Sequence, residues 1–141
     1  MRTDYGIRAV IELAARFGEP PVSSAEIASR QEIPEPYLDQ LLVSLRKAGL
    51  VRSTRGPLGG HSLAKDPAEL NLGDLVAALD GRSAPSACFD HDDRCQLGEG
   101  CPQRDAWVEL DRLVWNYLAS VNLADLVARQ SQLDSRAMYH I

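Results

Sequence analysis

The segment that decides the fold is residues 23–49, which read SSAEIASRQEIPEPYLDQLLVSLRKAG. Ser23 is placed as an N-cap with Glu26 three residues later, a capping box that starts a short helix ending near Arg30. A longer helix follows, with prolines in its first turn, one apolar and one polar face, and Gly49 at its end. A short helix, a tight turn and a longer amphipathic helix are typical of a helix-turn-helix, whose second helix reads the major groove of DNA.

A hairpin is predicted directly after this motif. Residues 50–54 and 61–65 have the pattern of two short strands. The connection between them, residues 55–60, contains three glycines and a proline, which is typical of a hairpin tip. A hairpin beside a helix-turn-helix indicates the wing of a winged helix.

Two further helices complete the predicted domain. Asn71 repeats the cap pattern before a helix that ends at Gly81. A first helix is predicted over residues 3–17, where apolar residues recur at helical spacing: Ile7, Val10, Ile11, Ala14 and Phe17. Residues 1–81 are therefore expected to form a winged helix-turn-helix domain, mainly α with a small β-hairpin wing.

The charge of the chain is unevenly distributed. The net charge is −5, yet residues 1–65 hold nine Lys and Arg against seven Asp and Glu, whereas residues 66–141 hold six against thirteen. No carboxylate occurs between positions 40 and 65, where the basic residues are Arg46, Lys47, Arg52, Arg55 and Lys65. This distribution predicts a phosphate-contacting patch on an otherwise acidic protein.

The longer helix and the hairpin tip supply the candidate DNA contacts. Gln40 has a side chain suited to a bidentate contact with adenine. Asp39 would repel phosphate, so we interpret it as a specificity element or a charge that favours the helix N-terminus. The contacts predicted from position are Tyr37, Gln40 and Ser44 to base edges, Arg46 and Lys47 to phosphate, and Arg55 to a minor groove. The alternative is a helix-packing motif that binds nothing.

All three cysteines lie in one segment without helix or strand periodicity. Three thiols in a reducing compartment favour metal ligation or thiol chemistry over disulfides. The spacing of Cys88, Cys95 and Cys101 is wider than the paired cysteines of zinc ribbons, and three thiolates in a long loop suit an iron-sulfur cluster with a fourth ligand of another type. A zinc site that includes His91 stays open. Residues 82–101 are therefore predicted to be a cluster-binding loop.

The segment after the cysteines predicts a dimerisation helix. Pro102 is placed as a first helical residue, and an apolar seam with steps of three and four follows: Trp107, Leu110, Val114, Tyr117 and Val121. Such a seam on a helix that leaves a small domain favours pairing with a second copy, hence a homodimer. Residues 102–129 are assigned to this helix and a short following helix, and residues 130–141 to a loose tail.

The sequence also indicates a location. It has no secretory signal, and no apolar run approaches the ~18 residues that a membrane span requires. A cytoplasmic protein without membrane association is expected.

Together the motifs resemble the iron-sulfur-sensing winged-helix regulators of the IscR/NsrR family. The matching segments, which cover almost the whole chain, are residues 25–28, 37–42, 45–53, 55–57 with 59–60, and 72–74, followed by the three cysteines. The resemblance implies a homodimeric transcription regulator, a repressor, that binds palindromic double-stranded operator DNA and holds a cluster with Cys88, Cys95 and Cys101. It adds the wing residues Gly56, Pro57, Gly59 and Gly60 to the expected DNA contacts.

Two branches of this family differ in the fourth cluster ligand. IscR-like members have a histidine three residues after the third cysteine, and this chain has Arg104 there, which cannot ligate. NsrR-like members have an aspartate in the first helix that reaches the cluster of the other subunit, and Asp4 occupies the matching place. The resemblance thus favours a [4Fe-4S] cluster with Asp4 as ligand and a sensor of nitric oxide or redox state. A [2Fe-2S] regulator of redox or iron status is the alternative, with His91 also open as a ligand.

Other classes of protein are also compatible with three cysteines. An iron-sulfur electron carrier would not need a winged helix, and a zinc-stapled interaction module would bind zinc without visible absorbance. An enzyme is not expected, because no nucleophile, base and cleft residues group together by spacing.

Overall fold

The computed structural model describes residues 2–82 and 100–139. Its helices are α1 (Arg2–Ala15), α2 (Ser24–Gln31), α3 (Glu35–Lys47), α4 (Leu72–Asp80), α5 (Arg104–Ser120) and α6 (Leu123–Met138). Strands β1 (Val51–Thr54) and β2 (Gly60–Leu63) follow α3, and a 3-10 helix (Pro67–Glu69) precedes α4. The predicted fold class, mainly α with a small hairpin wing, is confirmed.

Local capping starts the second helix as expected, with one difference. Ser23 is extended and its hydroxyl accepts a hydrogen bond from the backbone N–H of Glu26 at 3.2 Å. The Glu26 carboxylate accepts from Arg16 of α1 at 2.9 Å. The glutamate of the predicted capping box therefore forms an ion pair with Arg16 instead. At α4 the box is complete, because Asn71 and Asp74 each accept from the other's backbone N–H.

The core lies where α1, α2, α3 and α4 meet. Leu38, Leu41 and Leu45 of α3 are fully buried, and Ile27 of α2 and Leu75 of α4 are buried against the same cluster. Each buried side chain of this size contributes roughly 1.5–3 kcal/mol of hydrophobic stabilisation. The packing fixes which side of α3 faces outward.

The wing is an antiparallel hairpin that is attached to the domain by a third segment. Val51 pairs with Leu63 and Thr54 with Gly60. On the other edge of β2, the backbone of His61 donates to Val22 at 2.7 Å and accepts from it at 2.9 Å. The wing is therefore anchored close to its tip, at the residue that precedes the N-cap of α2.

The last two helices take different paths. α5 carries no buried residue, whereas α6 begins with the fully buried Leu123 and packs on α1 and the 3-10 helix. At their junction the Asn122 side chain donates to the carbonyl of Ala68 at 2.6 Å. No helix within the described residues is long and apolar enough to cross a membrane.

The C-terminal end differs from the expected loose tail at residues 130–141, because α6 continues to Met138. Gln130 donates to Asp134 at 2.8 Å, and Ser135 donates to the carbonyl of Ser131 at 2.9 Å. The pair of Gln130 and Asp134, four residues apart on the helix surface, favours the helical form of this end.

Candidate nucleic-acid interface and cysteine region

The outward face of α3 is formed by residues spaced three and four apart. The exposed side chains on this face are Pro36, Asp39, Gln40, Val43 and Lys47. Gln40 is exposed in the middle of this face, and its amide is suited to a hydrogen-bonded contact with a base edge. Val43 is 38% exposed between these polar groups, where its methyls could contact a thymine methyl group. Sequence reasoning missed Val43, although its spacing from Asp39 and Gln40 was available as a signal.

Tyr37 and Ser44 lie on the flank of α3 and are half-buried. The Tyr37 ring packs edge-on against Tyr5 of α1, with centroids 5.8 Å apart. The Ser44 hydroxyl accepts from Arg2 of α1 at 2.8 Å and donates to the carbonyl of Gln40 at 3.3 Å. Both side chains therefore have partners in the protein, and their predicted base contacts stay predictions.

Basic groups surround this face. Arg46 and Lys47 are exposed in the last turn of α3, and Arg55 is exposed at the hairpin tip. Arg52, also exposed, donates to the carbonyl of Ala64 across the hairpin at 3.2 Å. Exposed cations beside a polar helix face are what phosphate binding requires.

Glycines give the hairpin tip its shape. Gly56 has φ +111°, a conformation that side-chain-bearing residues rarely adopt. A Cβ at Gly59 would overlap the Thr54 carbonyl, and one at Gly60 would overlap the Val22 backbone. The Leu58 side chain, next to Pro57, is 90% exposed. The predicted DNA contacts Gly56, Pro57, Gly59 and Gly60 thus lie in the tip, where three of them have a structural reason to be glycine.

His61 connects the wing to α3. Its ring Nδ1 lies 3.0 Å from the Ser53 hydroxyl across the hairpin. Partial burial lowers the pKa of His61 below its usual value of 6.5, the Arg46 charge lowers it further, and the Asp39 carboxylate raises it. Asp39 therefore acts on a wing residue as well as facing outward.

Asp4 lies on the exposed side of the first turn of α1. Its carboxylate forms an ion pair with Arg8 at 3.1 Å, and the Asp4 side chain is 61% exposed. Arg8 donates to the carbonyl of Gln31 at the end of α2 at 3.1 Å, and its guanidinium lies 5.3 Å from the centroid of the Tyr5 ring. Since Tyr5 packs on Tyr37, Asp4 is connected through Arg8 to both helices of the helix-turn-helix.

The cysteine loop is described only at its ends. Cys88, Cys95 and His91 lie outside the described residues, and Cys101 is a half-exposed free thiol before α5. Arg82, at the start of the loop, stacks on Trp115 of α5 with 4.9 Å to the ring centroid. Among residues 2–82 and 100–139, no three His, Cys, Asp or Glu side chains lie together as a metal site. The predicted ligand set of Cys88, Cys95, Cys101 and Asp4 stays a prediction.

The helix-turn-helix, the anchored wing and the exposed basic residues define a winged-helix DNA-binding protein. The family model described as "Rrf2: Iron-dependent Transcriptional regulator" matches residues 1–129. The chain belongs to the Rrf2 family of transcriptional regulators, which are DNA-binding proteins and not enzymes.

Relatives and solved structures agree with this assignment. The regulator IscR of Photorhabdus laumondii is 37% identical over 130 residues, which are 92% of this chain and 79% of IscR. The structure of CymR, the global cysteine regulator of B. subtilis, superimposes with a TM-score of 0.76 at 33% identity over 92% of this chain and 95% of CymR. T. potens IscR gives a TM-score of 0.74 at 37% identity over 92% and 85%. The fold is therefore shared by the cysteine regulator CymR and by IscR, so the fold alone does not specify the signal.

Proposed function

We propose that this protein is a homodimeric repressor that binds operator DNA through α3 and the wing and senses nitric oxide or redox state through an iron-sulfur cluster. The observation that carries the proposal is the connection of Asp4, through Arg8 and Tyr5, to both helices of the helix-turn-helix. A sensor needs such a link between the ligand site and the DNA-reading element.

Four residues would hold the cluster. Cys88, Cys95 and Cys101 of one protomer would supply thiolates, which are the usual ligands of iron-sulfur clusters. Asp4 of the other protomer would supply a carboxylate, and its exposure allows it to be approached from outside its own subunit. With a carboxylate as the fourth ligand, a cluster in this site would have one iron more open to reaction with a small diatomic molecule than the three held by thiolates.

The chain's own residues would transmit the state of this site. A carboxylate that binds iron cannot keep its full ion pair with Arg8, so Asp4 has two alternative partners. When Asp4 returns to Arg8, the guanidinium is drawn towards the start of α1. Because Arg8 also binds the end of α2 and packs on Tyr5, the positions of α2 and α3 respond.

Two protomers would be joined through α5. Leu110, Val114 and Tyr117 are 41%, 44% and 68% exposed on one side of this helix, as the predicted seam requires. Pairing with a second copy would bury them, and a two-fold dimer would present two α3 helices to a palindromic operator.

The experiment uses protein purified without oxygen. We expect visible absorbance, near-equal iron and sulfide, and tight binding to a duplex that the protein itself selects from a random-sequence library. Exposure to nitric oxide should weaken this binding at least tenfold, whereas an Asp4→Ala variant should lose its cluster faster and respond less. An intact cluster whose DNA affinity is unchanged by nitric oxide would refute the proposed signal.

A [2Fe-2S] regulator of redox or iron status is the second candidate, favoured by the relatives that are named IscR. Mössbauer spectra of the same preparation distinguish the two cluster types. Stoichiometric zinc without colour would indicate a zinc-stapled module instead, and loss of all salt-dependent DNA binding would favour an electron carrier.

A further inference from the structure

One guanidinium joins three helices at the start of the cysteine loop. Arg2, in the first turn of α1, donates from Nε to the carbonyl of Leu79 at 2.7 Å and from Nη2 to the Ser44 hydroxyl at 2.8 Å. Its Nε also lies 3.8 Å from the Asp80 carboxylate. Arg2 therefore bridges α3 and the C-terminal end of α4.

The two hydrogen-bond acceptors of Arg2 lie at the end of α4 and beside the outward face of α3. The Leu79 carbonyl is one of the last four of α4, which have no partner within the helix, and a cation is favourable at such an end. Ser44 lies one turn after Gln40, and its hydroxyl also donates to the Gln40 carbonyl. The guanidinium thus fixes α3 close to its base-reading residue.

The chain after α4 leads directly into the cysteine loop. α4 ends at Asp80, Gly81 follows with φ +76°, and Arg82 is stacked on Trp115. A movement of the loop that shifts the end of α4 would act on Arg2 first, because Arg2 holds the Leu79 carbonyl. Arg2 alone suffices to connect the end of α4 to α3, without a second charged side chain between them.

We propose that Arg2 is a positioning residue that sets the recognition helix α3 against the entrance of the cysteine loop. It acts through Ser44 and the Leu79 carbonyl rather than by touching DNA. The part of this inference that concerns regulation rests on the proposed function, since it requires that the loop changes state. The part that concerns DNA affinity rests only on the statement that α3 binds DNA, and not on the cluster or its signal.

The competing explanation is that Arg2 binds DNA phosphate, because its side chain is 40% exposed. The salt dependence of binding separates the two. Losing a phosphate contact lowers the slope of log affinity against log salt by about 0.9 for each contact in each subunit. Losing a positioning residue lowers affinity and leaves that slope unchanged.

The first experiment uses full-length, metal-free protein and the duplex selected by the wild type. Arg2→Met should weaken binding roughly five- to tenfold with an unchanged salt slope, and Arg2→Lys should weaken it similarly, since an ammonium lacks the planar fork. Ser44→Ala should weaken binding, and the double variant should lose less than the product of the two single effects. Arg112→Met is the matched control, because Arg112 is an exposed arginine of α5 that pairs with Glu109.

Three results with the Arg2 and Ser44 variants would each overturn the proposal, and a fourth comes from the control. The three are a reduced salt slope in Arg2→Met, wild-type affinity in Arg2→Lys, and multiplicative effects of Arg2→Met and Ser44→Ala. Equal losses in Arg112→Met and Arg2→Met would also overturn it, since they would reflect net charge alone.

The second experiment compares the DNA affinities of metal-free and cluster-loaded protein. We expect Arg2→Met to reduce the factor by which loading changes wild-type affinity, with iron and sulfide content unchanged. If the wild type responds to loading and Arg2→Met responds equally, the inference fails while the proposed function stands. If the wild type itself does not respond, the proposed function fails, and the first experiment still decides the positioning role.

Discussion

His61 shows how a single residue joins two parts of the candidate DNA-binding surface, the wing and α3. Its backbone pairs with Val22, its ring contacts Ser53, and its pKa responds to Asp39 and Arg46 on α3. Partial burial is the main reason that the pKa of His61 is lowered. The neutral ring is therefore the form that the folded wing favours.

This pKa shift predicts a pH dependence of stability. Because the folded pKa lies below the unfolded value of about 6.5, the unfolded chain binds more protons in the interval between the two. The contribution of neutral His61 to the free energy of unfolding should be complete above pH 6.5. It should decrease as the pH is lowered from there to the folded pKa. Urea unfolding at pH 7.5 and at pH 5.5 measures this loss.

His61→Gln provides the control for that measurement, since glutamine keeps a polar side chain and does not titrate in this range. We expect a smaller difference between the two pH values in this variant. An identical difference in variant and wild type would show that other groups cause the pH dependence.

At the scale of elements, α2 is attached to α1 by a charge network rather than by apolar packing alone. The Glu12 carboxylate, whose side chain is 13% exposed, accepts from Arg30 and Gln31 of α2, and Arg16 bridges it to Glu26. The hydrogen bond from Arg16 lowers the pKa of Glu26. The network orients the first helix of the helix-turn-helix relative to α1, which carries Asp4 and Arg2.

In the wing, backbone geometry restricts which residue can occupy position 60. Gly60 has φ +156° and lies so close to the Val22 backbone that any side chain would overlap it. The glycine allows β2 to pair with β1 on one side and with Val22 on the other. The anchored wing thus depends on a residue that has no side chain.

We predict that Gly60→Ala destabilises the protein by about 1–3 kcal/mol, the range expected for overpacking and a strained backbone. Thermal unfolding measures the change. Gly18→Ala is the matched control, because Gly18 also has a positive φ, +87°, but open space around it. Equal losses in the two variants would show that conformation alone matters and that the contact with Val22 does not.

At the scale of the whole molecule, the apolar surface of α5 has no partner within the described residues of its own chain. Leu110, Leu113, Val114 and Tyr117 are all more than 40% exposed, although α5 packs on α4 along another side. An apolar stripe of this kind is typical of an interface. The dimer proposed above would bury it.

Val114→Asp is therefore expected to convert the dimer to a monomer, because it places a carboxylate inside the interface. Sedimentation velocity at micromolar concentration measures the mass. Val108→Asp is the matched control, since Val108 is equally exposed, 46% against 44%, and lies about 120° around the same helix. The prediction that this seam forms the dimer interface would be wrong if both variants stayed dimeric, or if only Val108→Asp became monomeric.

Much of the fold could be predicted because its signals are local. The N-caps Ser23 and Asn71, the glycines of the wing and the apolar face of α3 each depend on neighbours within a few residues. Local signals were insufficient for α6, whose end packs on α1 without a clear apolar period, and for α1 itself. Of the predicted face, Val10 and Ala14 are buried and Ile7 and Ile11 pack against the core, but Phe17 is 46% exposed. The buried residues Gly6, Ala9 and Leu13 were not predicted.

For the candidate site, the sequence by itself determined the helix-turn-helix, the basic region from position 40 to 65 and the presence of three thiols in one segment. Only the tertiary structure decided which α3 side chains face outward and which are held by α1. Tyr37 and Ser44 have partners more than thirty positions away, Tyr5 and Arg2, and no local pattern encodes such contacts. The physical reason is that helix propensity and capping act within a turn, whereas the side of a helix that meets the core depends on every element packed against it.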